Sequence, residues 1–145
     1  MADLPITYRG AVYPSECDHV GHLNVAHYVA KFDGGTWNFF NLIGLTPGYF
    51  RAQGRGMAAV QQNIAYKREL VPGDVITVRT RLLEIRERVI RFEHIMANGE
   101  TSAVAATAEL TGVHLDTALR RACPFPENVL ALGRAIIEEH RHVGV

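Results

Sequence analysis

From residue 57 to residue 114 the chain carries four strand-forming segments, joined by connections too short for anything but an antiparallel sheet. Residues 57–70 run into the turn sequence Val71-Pro72-Gly73-Asp74, and residues 75–83 follow with many β-branched side chains. Residues 89–97 lead to Asn98-Gly99, a strong hairpin signal, and residues 101–114 continue as strand. Parallel neighbours would need crossovers of a dozen or more residues, so the turns are read as joining the first two strands and the last two into one antiparallel sheet. Residues 6–13 supply a fifth strand, ended by Pro14-Ser15.

Such a sheet needs something to bury, and residues 25–42 are the partner. Apolar positions recur at Val25, Val29, Phe32, Thr36, Phe39 or Phe40, and Ile43, in steps of three and four that mark one helical face. The further aromatics Tyr28 and Trp37 imply burial on more than one side. Asn24 is a favoured N-cap, and Gly44 suits the left-handed position beyond a helix end. Gly34-Gly35, in mid-helix, costs about 1 kcal/mol per glycine relative to alanine, so the pair needs a close approach of a strand or a ligand chain. Ala103, Ala105, Ala106 and Ala108 would let the helix lie close on the last strand. Residues 46–56 read as a Gly-rich loop, and Pro124-Phe125-Pro126 leads into a second helix at residues 127–140.

With 145 residues, 48% of them hydrophobic, the expectation is a single α+β domain over residues 1–145. Lys plus Arg number 15 and Asp plus Glu 15, so no basic field points to nucleic acid. No segment approaches the roughly 18 apolar residues of a membrane span, and the first residues have no leader pattern; a soluble, cytoplasmic protein is expected. Cys17 and Cys123 are too few for a disulfide framework and read as reduced thiols.

Directly before the long helix stands Asp18-His19-Val20-Gly21-His22-Leu23-Asn24-Val25-Ala26-His27-Tyr28. The first turn of a helix presents unpaired N–H groups and partial positive charge, which stabilise negative charge developing on a carbonyl oxygen. Asp18, just upstream, is placed to act on the carbonyl carbon or on a water, so the combination reads as acyl chemistry. Asn24 would fix the helix entrance that presents the Val25 N–H. His22 either orients Asp18 or a water, or satisfies a backbone carbonyl. Asp18, His19, His22 and His27 lack metal-ligand spacing, and no metal or cofactor is expected. Cys17 has no evident base beside it and reads as structural.

The same residues, Asp18 with Gly21-His22-Leu23-Asn24 and Tyr28, resemble the signature of the 4-hydroxybenzoyl-CoA thioesterase family, particularly its bacterial acyl-CoA thioesterase branch. Ile64-Ala65-Tyr66-Lys67-Arg68 followed by Pro72-Gly73-Asp74 is similar to that family's second strand and turn. The likeness spans about residues 7–115, with a tail at residues 116–126, containing Arg120-Arg121 and Pro124, that resembles some bacterial members. It departs from the family in Val25, where an aromatic is common, and in Gly34-Gly35. The resemblance implies a hotdog fold, a five-stranded antiparallel sheet wrapped around the long helix, with an additional C-terminal helix. It implies hydrolysis of an acyl-CoA thioester with Asp18 as nucleophile or general base, the Val25 N–H polarising the carbonyl, and His22 and Asn24 in support. Tyr28 and Met57 are candidates for the acyl wall. Lys67, Arg68 and Arg88 are favoured over Arg86, Arg120 and Arg121 for the CoA phosphates. A homo-oligomer, dimer or dimer of dimers, is implied as well. The alternatives are a hotdog dehydratase or hydratase and a non-catalytic acyl-CoA-binding sensor.

Overall fold

The computed structural model describes residues 3–144. In chain order it contains β1 (Ile6–Ala11), a 3₁₀ turn (Pro14–Glu16), α1 (Val25–Leu42), α2 (Pro47–Gln53), β2 (Arg55–Tyr66), β3 (Val75–Ile85), β4 (Val89–Asn98), β5 (Val104–Asp116), β6 (Arg121–Ala122) and α3 (Glu127–His140). The sheet runs β1-β3-β4-β5-β2, with β6 a two-residue addition to β5, and every pair is antiparallel. It curls around α1 in the hotdog arrangement. No helix among the described residues is long and apolar enough to cross a membrane.

The core lies between α1 and the concave face of the sheet. Phe32, Phe39 and Phe40 are buried from the helix side, and Phe92 meets Phe40 edge-on with ring centroids 5.5 Å apart. Alternation supplies the other half: along β3, Ile76, Val78, Thr80 and Leu82 point inward between partly exposed neighbours. The glycine pair has the close approach that the sequence demanded. A Cβ on Gly34 would sit 2.8 Å from Tyr8 Cδ1, and one on Gly35 would sit 3.0 Å from Thr7 Oγ1, so β1 crosses α1 there.

Three expectations need correction. First, β2 and β3 are not neighbours. The turn at residues 71–74 does form, with Gly73 N–H donating to Val12 O at 2.8 Å, but it docks the chain beside the end of β1 rather than folding β3 onto β2. β2 ends at Tyr66, not at residue 70, and pairs with β5 instead. Residues 67–74 cross the fold: three strand spacings amount to about 14 Å, well within the roughly 27 Å that eight extended residues can reach. Periodicity locates strands and says nothing of which edge each one joins.

Second, the region read as a loop contains α2. Thr46 caps it, its hydroxyl accepting from Tyr49 N–H at 3.0 Å, Pro47 opens it, and Gly54 closes it at φ 61°. Third, the buried residues of α1 are Tyr28, Lys31, Phe32, Gly35, Thr36, Phe39 and Phe40, while Val25 and Val29 are exposed, as is Trp37.

The edge of β3 beyond β1 is closed by α3. His140 Nδ1 accepts from Leu82 N–H at 3.1 Å, which satisfies a ladder group of β3, and the Arg81 side chain donates to the His140 carbonyl at the end of α3. Among the described residues β2 is paired on one side only, with β5.

Candidate active site

The loop from β1 to α1 folds back on itself. Asp18 N–H donates to His22 O at 3.2 Å and Gly21 N–H to Asp18 O at 3.0 Å, with Gly21 at φ 96°, a conformation glycine adopts without strain. This tight turn fixes the Asp18 carboxylate at the helix entrance. Its Oδ1 accepts from Val20 N–H at 2.9 Å, and its Oδ2 accepts from Asn24 Nδ2 at 3.2 Å.

Asn24 is the joint of the site. Its Oδ1 accepts from Ala26 N–H at 3.0 Å, the N-cap bond, while its amide nitrogen holds Asp18. The reverse amide orientation would set NH₂ against an N–H and oxygen against a carboxylate, so the network fixes the assignment. The Val20 N–H chiefly, with help from the Asn24 amide and from His22 and His19, holds the Asp18 carboxyl below its ordinary range against a smaller opposing effect of burial. Asp18 is therefore a carboxylate at neutral pH.

A cleft of about 300 Å³ opens here. Asp18, His22 and Leu23 come from the loop, Val25 and Tyr28 from α1, and Tyr66, Lys67, Arg68 and Glu69 from the end of β2 and the crossing segment. The crossing segment is held in place by Leu23 N–H donating to Leu70 O at 2.8 Å and by the Lys67 and Arg68 N–H groups donating to Ala105 O. Val25, as first residue of the helix, has an N–H that no intrahelical carbonyl can take. Val25 and Asp18 both line the cleft.

The structure thus brings together Asp18, His22, Asn24, Val25, Tyr28, Lys67 and Arg68. It leaves out two of the expected residues. Met57 lies in a separate cavity farther along α1, and Arg88 is at the β3–β4 turn, 3.8 Å from Glu87. Register places Val89 opposite Val113, eight residues from the Ala105 that receives Lys67, so Arg88 stands about 26 Å along β5 from the cleft in one protomer. His22 does not engage Asp18 directly: its Nε2 is 3.7 Å from Glu69 Oε1. His27 pairs loosely with Glu16 instead, at 3.9 Å. The four residues of the metal reading do not converge, and no cluster of three or more His, Cys, Asp or Glu with ligand geometry occurs among the described residues. Burial, and then the charge of Asp18 and Glu16, pushes the Cys17 thiol up, which disfavours its thiolate.

Two lining residues were missed in the sequence. Tyr66 stands edge-on to Tyr28 with ring centroids 5.0 Å apart, and Glu69 follows the basic pair. Reading residues 57–74 as one side of a hairpin hid both, since their proximity to α1 exists only because the chain crosses the fold. A hollow of about 340 Å³ on the far side of the sheet, around Arg9 and Arg79, is larger but contains no carboxylate or imidazole. Volume alone does not choose the site.

Residues 12–132 match the thioesterase-like superfamily. The chain belongs to that family. The betainyl-CoA thioesterase of Pseudomonas aeruginosa is 28% identical over 145 residues, covering 100% of this chain and 91% of its own. An L-carnitine dehydrogenase/betainyl-CoA thioesterase of Agrobacterium fabrum is 32% identical over 137 residues, which cover 94% of this chain but only 27% of that longer protein. Among solved structures, a hypothetical protein of Staphylococcus aureus in complex with CoA superposes with a TM-score of 0.88 at 18% identity, over 98% of this chain and 90% of that one. The hotdog fold is thereby established, and the chemistry of the family is thioester hydrolysis.

Proposed function

We propose that the protein hydrolyses an acyl-CoA thioester in the Asp18 cleft. The observation that carries the reading is the single amide of Asn24, which ties an ionised carboxylate to the N-terminus of a helix. With the thioester oxygen on the Val25 N–H, the tetrahedral oxyanion forms where the helix field favours it. Asp18 either attacks the carbonyl carbon, expelling CoA as a thiolate that takes its proton from solvent and leaving a mixed anhydride that water then hydrolyses, or deprotonates the attacking water and passes that proton to the departing CoA sulfur. Lys67 and Arg68 meet the CoA phosphates, Tyr28 lines the acyl side, and His22, on the same loop as Asp18, orients the attacking water. The relatives named for betainyl-CoA make that thioester the first substrate to try.

Two copies pair edge to edge through β2 in this reading. The strand is twelve residues long, is paired on one side only, and leaves Val60 60% exposed, an edge that a solitary protein would be expected to blunt. Such pairing, in a dimer or a dimer of dimers, is also the route by which Met57 and Arg88 could join a cleft they do not reach within one protomer.

Thiol release from a panel of acyl-CoAs tests the activity. Asp18→Asn keeps the shape of the site and is expected to lower kcat by roughly 10² to 10⁴ with KM little changed. No thiol release from any acyl-CoA, or an Asp18→Asn enzyme as fast as the wild type, removes the proposal. Light scattering that shows an active monomer at micromolar concentration removes the pairing.

A further inference from the structure

Farther along α1, between that helix and β2, lies a smaller cavity of about 80 Å³ that is separate from the Asp18 cleft within one protomer. Asp33, Trp37 and Phe40 face it from the helix and Met57 from the strand. It exists because β5 carries a glycine beneath it: a Cβ on Gly112 would lie 3.4 Å from Met57 Cε. Among the described residues Asp33, itself exposed, is the only charged one lining it and the only one lining the adjoining hollow around Val29 and Gln62. No salt bridge or hydrogen bond engages the Asp33 carboxylate among the described residues. Trp37, one turn on, is 47% exposed, and its indole is set by edge-on contacts to Phe40 at 5.7 Å and Phe50 at 6.1 Å.

That combination selects a ligand class. A lone carboxylate repels anions and is too few donors for a metal ion. A neutral apolar group would desolvate the carboxylate with nothing in return. A weakly hydrated organic cation satisfies both walls, since its charge is met by the carboxylate and the lining aromatic rings while its methyl groups fill apolar space. We propose that the cavity at Asp33 and Trp37 binds a quaternary or tertiary alkylammonium group. The site stands without the thioesterase reading. Its ligand is either a free small molecule or the end of a substrate's acyl group. Eight residues of helix, about 12 Å, separate Asp33 from Val25, so in the second case several bonds, or a facing copy of the chain, connect the two sites.

Trp37 is the only tryptophan of the 145 residues, so the intrinsic tryptophan fluorescence comes from the wall of this cavity. Choline and its neutral isostere 3,3-dimethylbutan-1-ol, titrated at constant ionic strength, separate charge from shape. Saturable change with choline is expected, with the isostere weaker by at least about fivefold. Asp33→Asn should weaken choline by a similar factor and bring the two ligands level, whereas Asp33→Glu keeps the discrimination. Equal response to both ligands, no saturable response to choline, or an Asp33→Asn protein that binds choline like the wild type overturns the proposal. The source is then read from kcat/KM for a trimethylammonium-bearing acyl-CoA against its tert-butyl isostere. A loss in Asp33→Asn confined to the cationic thioester places the group on the substrate, and an unchanged ratio with lost choline binding makes it a separate molecule. If no acyl-CoA of the panel is cleaved the thioesterase reading fails, and the titration still decides the site.

Discussion

Asn24 Nδ2 lies 3.2 Å from Asp18 Oδ2 while the same amide's oxygen caps α1 on the Ala26 N–H at 3.0 Å, so the proposed catalytic acid and the helix entrance are set by one side chain. Capping and positioning can be separated by substitution. Asn24→Asp keeps a capping oxygen and favours the helix dipole, so thermal stability should hold. It also replaces a donor to Asp18 with a second carboxylate, which raises the Asp18 pKa and misplaces it. The expected outcome is a folded protein with kcat lower by about 10² and an acid limb of the pH–rate profile moved upward. Asn24→Ala should lose about 1 kcal/mol of stability besides. Denaturant titrations beside pH–rate profiles for both variants check this, and an Asn24→Asp enzyme with an unmoved profile would show that Asp18 does not feel the amide.

The Val25 N–H can be isolated because the donor is backbone. Val25 is 54% exposed, so Val25→Ala removes little packing and keeps the N–H. Val25→Pro deletes the N–H at the first helical position, where proline fits and no intrahelical bond is lost. Loss of one oxyanion donor is expected to cost about 10² to 10³ in kcat while the fold survives. Equal turnover by the two variants would move the polarising group elsewhere in the cleft.

Much of this site is local, which is why it could be read from sequence. Asp18, Asn24 and Val25 lie within eight residues, and the turn at Gly21 and the cap at Asn24 are short-range geometry. Residues that arrive from elsewhere were harder. Tyr66 and Glu69 are at the cleft because β2 joins the β5 edge and the chain then crosses to β3, a choice between edges that alternation does not encode. α2 was legible in Thr46-Pro47 and Gly54 and was hidden by the neighbouring glycines. The Val25 and Val29 positions have the right period but face the outside of the groove, because the helix turns its aromatic face, Phe32 and Phe39, to the sheet.

Tyr8 is wedged between two glycines: its ring is 2.8 Å from a Cβ built on Gly34 and 2.9 Å from one built on Gly10. Gly34→Ala gains helix propensity of about 1 kcal/mol, but the new methyl group forces the Tyr8 ring, also close to Gly10, to shift, and such overpacking typically costs 1–3 kcal/mol. Net destabilisation is expected in the wild-type background. In a Tyr8→Ala background the clash is gone and the same Gly34→Ala change should stabilise by about 0.5–1 kcal/mol. Urea melts of the four proteins form a double-mutant cycle, and the same sign in both backgrounds would show that the close approach of β1 does not explain the glycine.

His94 links the helix to the sheet: its Nε2 is 2.8 Å from Thr36 Oγ1 on α1, and its Nδ1 is 2.8 Å from Thr80 Oγ1 on β3. Fully buried, the imidazole is pushed by desolvation from 6.5 down to about 3. The unfolded chain therefore takes up a proton below about 6.5 that the folded chain refuses, and stability falls as pH drops from there toward 3. At one proton per chain the slope approaches about 1.4 kcal/mol per pH unit, which accumulates to about 2 kcal/mol between pH 7 and pH 5. His114 and His140 are also lowered by burial and add to the same trend, so the wild-type curve alone does not isolate His94. His94→Gln can still bridge the two threonines but does not titrate. Its absolute stability is expected to be lower and its loss between pH 7 and pH 5 smaller than wild type by about 2 kcal/mol, measured by urea unfolding at both pH values. Parallel losses in the two proteins would mean that His94 accepts its proton while folded, with the imidazolium donating to both Thr36 and Thr80.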